Sequence, residues 1–193
     1  MTPPISPGVA LAPAALRTAP SEEALDLASV YRAEFTSVMS WLRALGIPSS
    51  EREDVAQEVF LVVRRKLTTF DGRHLRAWLF RITQRTASDH RRRVWFRSLL
   101  WRSPPEAADR LSSPSHGPAE LYEHKEAAQR LEALISGLDE KLRVAFWLFE
   151  IEGNSVKEIA ALLGVTETTV WMRVYRARAE LVRRFDRAQR RGR

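Results

Sequence analysis

The sequence predicts an all-α protein of two small helical domains joined by a flexible linker, the C-terminal domain containing a helix-turn-helix. Three observations predict it. Apolar residues recur at three- and four-residue intervals through two stretches, 24–97 and 119–187. A Pro-, Ser- and Gly-rich segment, 98–118, with the sequence SLLWRSPPEAADRLSSPSHGP, divides them. Finally, Ser155 to Leu181, SVKEIAALLGVTETTVWMRVYRARAEL, reads as two short helices around a tight glycine turn, the second rich in arginine.

In chain order, residues 1–23 are expected to form a disordered N-terminal tail. The opening MTPPISPGVALAPAALRTAP has no basic start and its prolines break the one apolar patch, which argues against a signal peptide. A first helix is expected from Ala24 to about Leu45 through Leu27, Val30, Tyr31, Phe35, Val38, Trp41 and Leu42, with Gly46 and Pro48 stopping it. A second opens at Ser50, where Glu53 would complete a capping box, and runs through Val55, Val59, Phe60, Val63 and Leu67 to a turn at Asp71-Gly72. Its exposed side carries Glu51, Asp54, Gln57 and Glu58. A third spans about Leu75 to Arg93, with Trp78, Leu79 and Ile82 on one side and His90-Arg91-Arg92-Arg93 at its end. Trp95, Phe96, Leu99, Leu100 and Trp101 are apolar for the start of a linker, so this end either continues the helix or docks on a partner.

After the linker, DEKLRVAFWLFEIEG carries Val144, Phe146, Trp147, Leu148, Phe149 and Ile151, a run expected to be buried against the helix pair that follows. In that pair Ser155 and Glu158 form a capping box, Gly164 supplies the turn and Thr166 caps the second helix. With Val170, Val174, Ala177 and Leu181 turned inward, the outward arc is Thr168, Trp171, Met172, Tyr175, Arg176 and Ala179. Such an arc suits the major groove, although a helical hairpin packed on a neighbour has the same spacing. The arginines that continue to the basic tail at 188–193 favour phosphate as the partner.

Composition points the same way. Lys plus Arg number 31 against 24 Asp plus Glu, a formal charge of +7 that favours polyanions. The absence of cysteine removes disulfides and thiolate metal sites, and the four histidines show no metal-ligand spacing. No apolar run approaches the roughly 20 residues of a membrane-spanning helix, so no membrane insertion is expected. No nucleophile-base arrangement, phosphate-cradling glycine loop or paired carboxylates suggest an enzyme, and no cofactor is implied. These residues alone leave open a regulator that binds duplex DNA through its C-terminal module and dimerises or senses through its N-terminal helices. A protein-binding helical adaptor is a more distant possibility.

The order DVAQEVF, TFDG, RAWLFRIT, linker, SVKEIAALLGVTETTVWMRVYRARAEL resembles a bacterial sigma factor of the small two-domain extracytoplasmic-function group, over residues 24–97 and 120–187. The resemblance implies a cytoplasmic bacterial protein whose partners are core RNA polymerase (the β′ clamp helices and the β subunit), promoter DNA and an anti-sigma factor. It implies that Asp54, Gln57 and Glu58 contact polymerase. The segment from Phe70 through Arg73 to the third helix would receive the −10 element, with Arg73, Arg81, Arg85, Arg91 and Arg92 on the backbone. Thr168, Trp171, Met172, Tyr175 and Arg176 would read the −35 element. Trp78 is expected in the core rather than as a stacking platform.

Two positions depart from the family pattern. Gln84-Arg85 stands where members often carry Arg-Asn, so amide readout of an unpaired base does not carry over. Trp171-Met172 stands where Lys or Arg followed by Ser is usual, which replaces donors by apolar surface suited to thymine methyl groups and implies an atypical −35 element. A plainer alternative has Trp171 folding back onto the helix that begins near Asp139.

Overall fold

A computed structural model describes residues 26–100 and 130–191, and all regular structure in them is helical. The N-terminal domain is built from α1 (Leu27–Ala44), α2 (Arg52–Lys66) and α3 (Leu75–Leu100). After a helical turn at 130–136, the C-terminal domain is built from α4 (Glu140–Phe146), α5 (Val156–Leu163) and α6 (Glu167–Arg191). The expected N-terminal tail and most of the expected linker lie outside the described residues.

Helix α1 starts where Asp26 accepts the Ser29 backbone N–H at 2.6 Å, and its buried stripe of Val30, Val38, Trp41 and Leu42 follows the helical repeat. It ends ahead of Gly46, whose φ of +82° is left-handed. The capping box expected at Ser50 and Glu53 is absent. The chain makes a 3₁₀ turn over Ser49–Glu51, and α2 begins at Arg52 without a side-chain cap. The tight turn after Pro48 places Ser50 inside it rather than ahead of the helix. Glu51 instead meets His90 of α3 at 2.5 Å. Val55, Val59 and Val63 of α2 and Leu79, Phe80 and Ala87 of α3 close the core around Trp41, whose ring meets Phe80 edge-on at 5.3 Å.

Helix α3 does not stop at Arg93. It continues to Leu100, so the apolar end extends the helix, with Trp95, Phe96, Leu99 and Leu100 exposed. A second departure lies after Phe146, where Trp147–Ile151 forms a π-helical turn in which the Glu152 N–H reaches the Trp147 carbonyl at 3.1 Å. The wider turn takes the side chains off the 3.6-residue spacing. Val144, Trp147 and Leu148 are buried, Trp147 meeting α1 of the N-terminal domain, and Ile151 is about half exposed.

The two domains pack on each other, α1 against α4 and α3 against α5, and the buried residues of both join in one apolar cluster. Polar contacts line this junction. Trp147 Nε1 donates to Ser40 Oγ at 2.8 Å, and Ser40 donates to Glu152 at 2.6 Å. Arg43 pairs with Glu132 at 2.9 Å and lies over the Trp147 ring. Arg143 reaches three backbone carbonyls, Ala44 at 2.6 Å, Ser136 at 2.9 Å and Leu138 at 3.0 Å. Burial pushes the Arg143 guanidinium below its ordinary pKa.

Candidate nucleic-acid interface

The C-terminal helix pair is fixed locally at each of its ends. The Ser155 backbone N–H donates to the Glu158 carboxylate at 2.8 Å and the Glu158 N–H donates to Ser155 Oγ at 3.3 Å, a complete capping box. The Ser155 hydroxyl, with the Ser155 N–H behind it, holds the Glu158 carboxyl below its ordinary pKa. Gly164 turns the chain at φ +65°, and Thr166 caps α6 by accepting the Thr169 N–H at 3.2 Å. Val170, Val174 and Ala177 are fully buried, and Leu181 is partly so. That inward set leaves Thr168, Trp171, Met172, Tyr175 and Arg176 all exposed on one side of α6, as their spacing predicts.

Trp171 folds back only in part. Its ring packs on Phe149 of the π-helical turn with centroids 5.5 Å apart, yet 52% of the residue remains exposed. Arg178 lies over the same Phe149 ring at 5.7 Å and pairs with Glu150 at 2.5 Å. Farther along α6, Glu180 ties down Arg183 at 2.8 Å and Arg184 at 3.0 Å, while Arg187 and Arg190 are exposed.

In the N-terminal domain, the rings of Phe70 and Trp78 meet at a 32° tilt with centroids 4.5 Å apart at the entrance to α3. Both are half-buried, so Trp78 belongs to the edge of the core and also backs Phe70. The intervening loop is held by Asp71, which accepts the Arg73 N–H at 3.0 Å. Gly72 and His74 adopt positive φ there. Arg73, Arg81 and Arg85 are exposed. Arg92 is paired with Asp89 at 2.5 Å. Arg91 is placed differently from the others: it donates to the Leu45 carbonyl and pairs with Glu140 of α4 at 2.7 Å, so it is occupied at the junction of the domains.

On α2, Asp54 and Gln57 are exposed and Glu58 is half-exposed, its carboxylate 2.5 Å from Arg93 of α3. A shallow groove between α2 and α3 is lined by Glu58, Leu61, Val62, Arg65, Asp89 and Arg93. Leu61 was not singled out by the sequence. Its signal was its place one turn beyond Gln57 and Glu58 on the same side of the helix. Phe149 was expected against the helix pair and meets Trp171 there, whereas Glu150 was missed as a neighbour of α6. Among the described residues no cluster of His, Asp and Glu could hold a metal ion, and no helix is long and apolar enough to cross a membrane.

The two halves of this interface correspond to two family models. The sigma-70 region 2 model matches residues 30–97 and the sigma-70 region 4 model matches residues 124–181. The chain is 32% identical over 149 residues to the RNA polymerase sigma factor CnrH of Cupriavidus metallidurans, covering 75% of this chain and 78% of that protein. It is 33% identical over 131 residues to the ECF RNA polymerase sigma factor SigE of Mycolicibacterium smegmatis, covering 68% of this chain and half of that longer protein. Among solved structures, CnrH in complex with the cytosolic domain of CnrY superposes with a TM-score of 0.58 at 27% identity, covering 83% of this chain and 87% of that one.

Proposed function

The chain belongs to the extracytoplasmic-function group of RNA polymerase sigma factors, and from that premise we propose that it directs core polymerase to promoters through three surfaces. The observation that carries this reading is the capped helix pair whose second helix exposes Thr168, Trp171, Met172, Tyr175 and Arg176 together. That helix reads the −35 element in the major groove. Phe70, backed by Trp78, receives an exposed base of the −10 element, while Arg73, Arg81, Arg85 and Arg92 contact its backbone. Asp54, Gln57 and Glu58 bind the β′ clamp helices of polymerase, which supplies all of the catalysis.

Arg91 joins the −10 contacts only when the domains part, because the compact arrangement engages it with Leu45 and Glu140. The protein acts in the cytoplasm, where polymerase works. The solved complex of CnrH with the cytosolic domain of CnrY supports control by an anti-sigma factor.

With Trp171 and Met172 in the groove, the −35 element favours thymine methyl groups over guanine acceptors at the positions they face. The test is a library of promoters randomised upstream and transcribed by polymerase carrying this chain or Trp171→Lys. The reading requires the lysine variant to shift preference toward guanine. An unchanged preference counts against it.

A further inference from the structure

We infer that Phe149, on the π-helical turn outside the helix pair, is a positioning residue for base recognition by Trp171. This inference rests on the reading of α6 as the −35 reader.

A tryptophan on an exposed helix surface has several rotamers, and fixing one during binding costs conformational entropy. Here one part of the Trp171 ring is already seated on Phe149, at 5.5 Å and a 59° tilt, while about half of the residue stays open. The seat is itself restrained. Arg178, two turns along α6, covers the Phe149 ring at 5.7 Å. Its guanidinium is anchored by Glu150, whose Oε1 lies 2.7 Å from Nε and 2.5 Å from the nearer terminal nitrogen.

Trp171, Phe149, Arg178 and Glu150 therefore form one assembly across two elements. Phe149 packs partly buried against the core cluster, and the same ring carries Trp171 and Arg178. The assembly also depends on the π register, which sets adjacent Phe149 and Glu150 to receive two residues from the same helix. A pre-set indole presents the same apolar surface to each candidate base pair, and that constancy converts contact into discrimination.

The test uses polymerase reconstituted with the full chain and the promoter library randomised through the −35 element, comparing Trp171→Ala, Phe149→Leu, Phe149→Tyr and the Trp171→Ala/Phe149→Leu double variant. Trp171→Ala is expected to flatten the base preference at one or two adjacent positions. Phe149→Leu, which keeps apolar bulk but removes the ring, should flatten those same positions by about fivefold or more. Phe149→Tyr should restore them, and the double variant should be no flatter than Trp171→Ala alone.

A uniform fall in transcription across all positions, or flattening at positions that Trp171 does not control, overturns the inference. Arg176→Ala separates the two levels of the argument. If Arg176→Ala alters upstream preference while Trp171→Ala does not, the helix is still the reader and Phe149 has no recognition to position. If neither alters it, the reading of α6 falls together with the inference.

Discussion

The Nε of Arg143 donates a 2.6 Å hydrogen bond to the carbonyl oxygen of Ala44, so a side chain of the C-terminal domain caps the last turn of a helix in the N-terminal domain. The last carbonyls of a helix have no partner within it, and a cation at that end also complements the helix dipole. Arg143 uses its planar fork to hold Ser136 and Leu138 as well, which a compact ammonium cannot reproduce.

Replacing Arg143 should therefore cost stability and compactness together. Arg143→Ala is expected to destabilise the chain by about 1–3 kcal/mol in urea unfolding, because it leaves partly buried carbonyls unpaired. Small-angle scattering should show a larger radius of gyration, and Arg143→Lys should recover little of either loss.

Gly46 tests the same junction from the other side. Its φ is +82°, and an added Cβ would lie 2.9 Å from a terminal nitrogen of Arg143. Gly46→Ala should cost about 1–2 kcal/mol from the left-handed backbone. Scanning calorimetry should report the resulting fall in Tm.

The capping box gives a pH dependence of known sign. The Glu158 carboxyl titrates below its ordinary value because the Ser155 hydroxyl and N–H favour its charged form. The stabilisation is present above the unfolded-state glutamate value of about 4.3 and is lost as pH falls through the lower folded value. Glu158→Gln should lower the melting temperature near neutral pH and flatten its decline on acidification below about pH 5, so that the variant and wild type converge in acid. An acid limb as steep as that of the wild type would contradict this.

Charge on α2 should govern polymerase binding separately from DNA binding. Asp54 and Gln57 are exposed and outside the buried core, so Asp54→Arg should fold normally. It is expected to weaken association with core polymerase by about tenfold or more. Binding of core-free chain to duplex −35 DNA should be unchanged, as a mobility shift would show.

Local signals made most of this architecture legible. Ser155 with Glu158, Gly164, and the inward row of Val170, Val174 and Ala177 each act over a turn or two of chain, and each is realised in the structure. The exposed arc of α6 follows from that row by geometry alone.

The illegible features depend on register or on distant partners. Ser50 and Glu53 have capping-box spacing, but the 3₁₀ turn after Pro48 starts the helix later. The π turn at Trp147–Ile151 turns Ile151 out of the apolar run in which it was expected to be buried. Arg91 and Arg143 look like ordinary basic residues in sequence, because the carbonyls they reach belong to residues 46 and 99 positions away.

The central claim is most directly tested by transcription from a pool of promoter fragments with purified core RNA polymerase, with and without this chain, mapping transcript starts by sequencing. The account predicts discrete starts that require the chain and share paired upstream elements, the distal one changed by Trp171→Lys. Initiation confined to fragment ends, despite demonstrated binding of the chain to core polymerase on promoters known to be active, would contradict it.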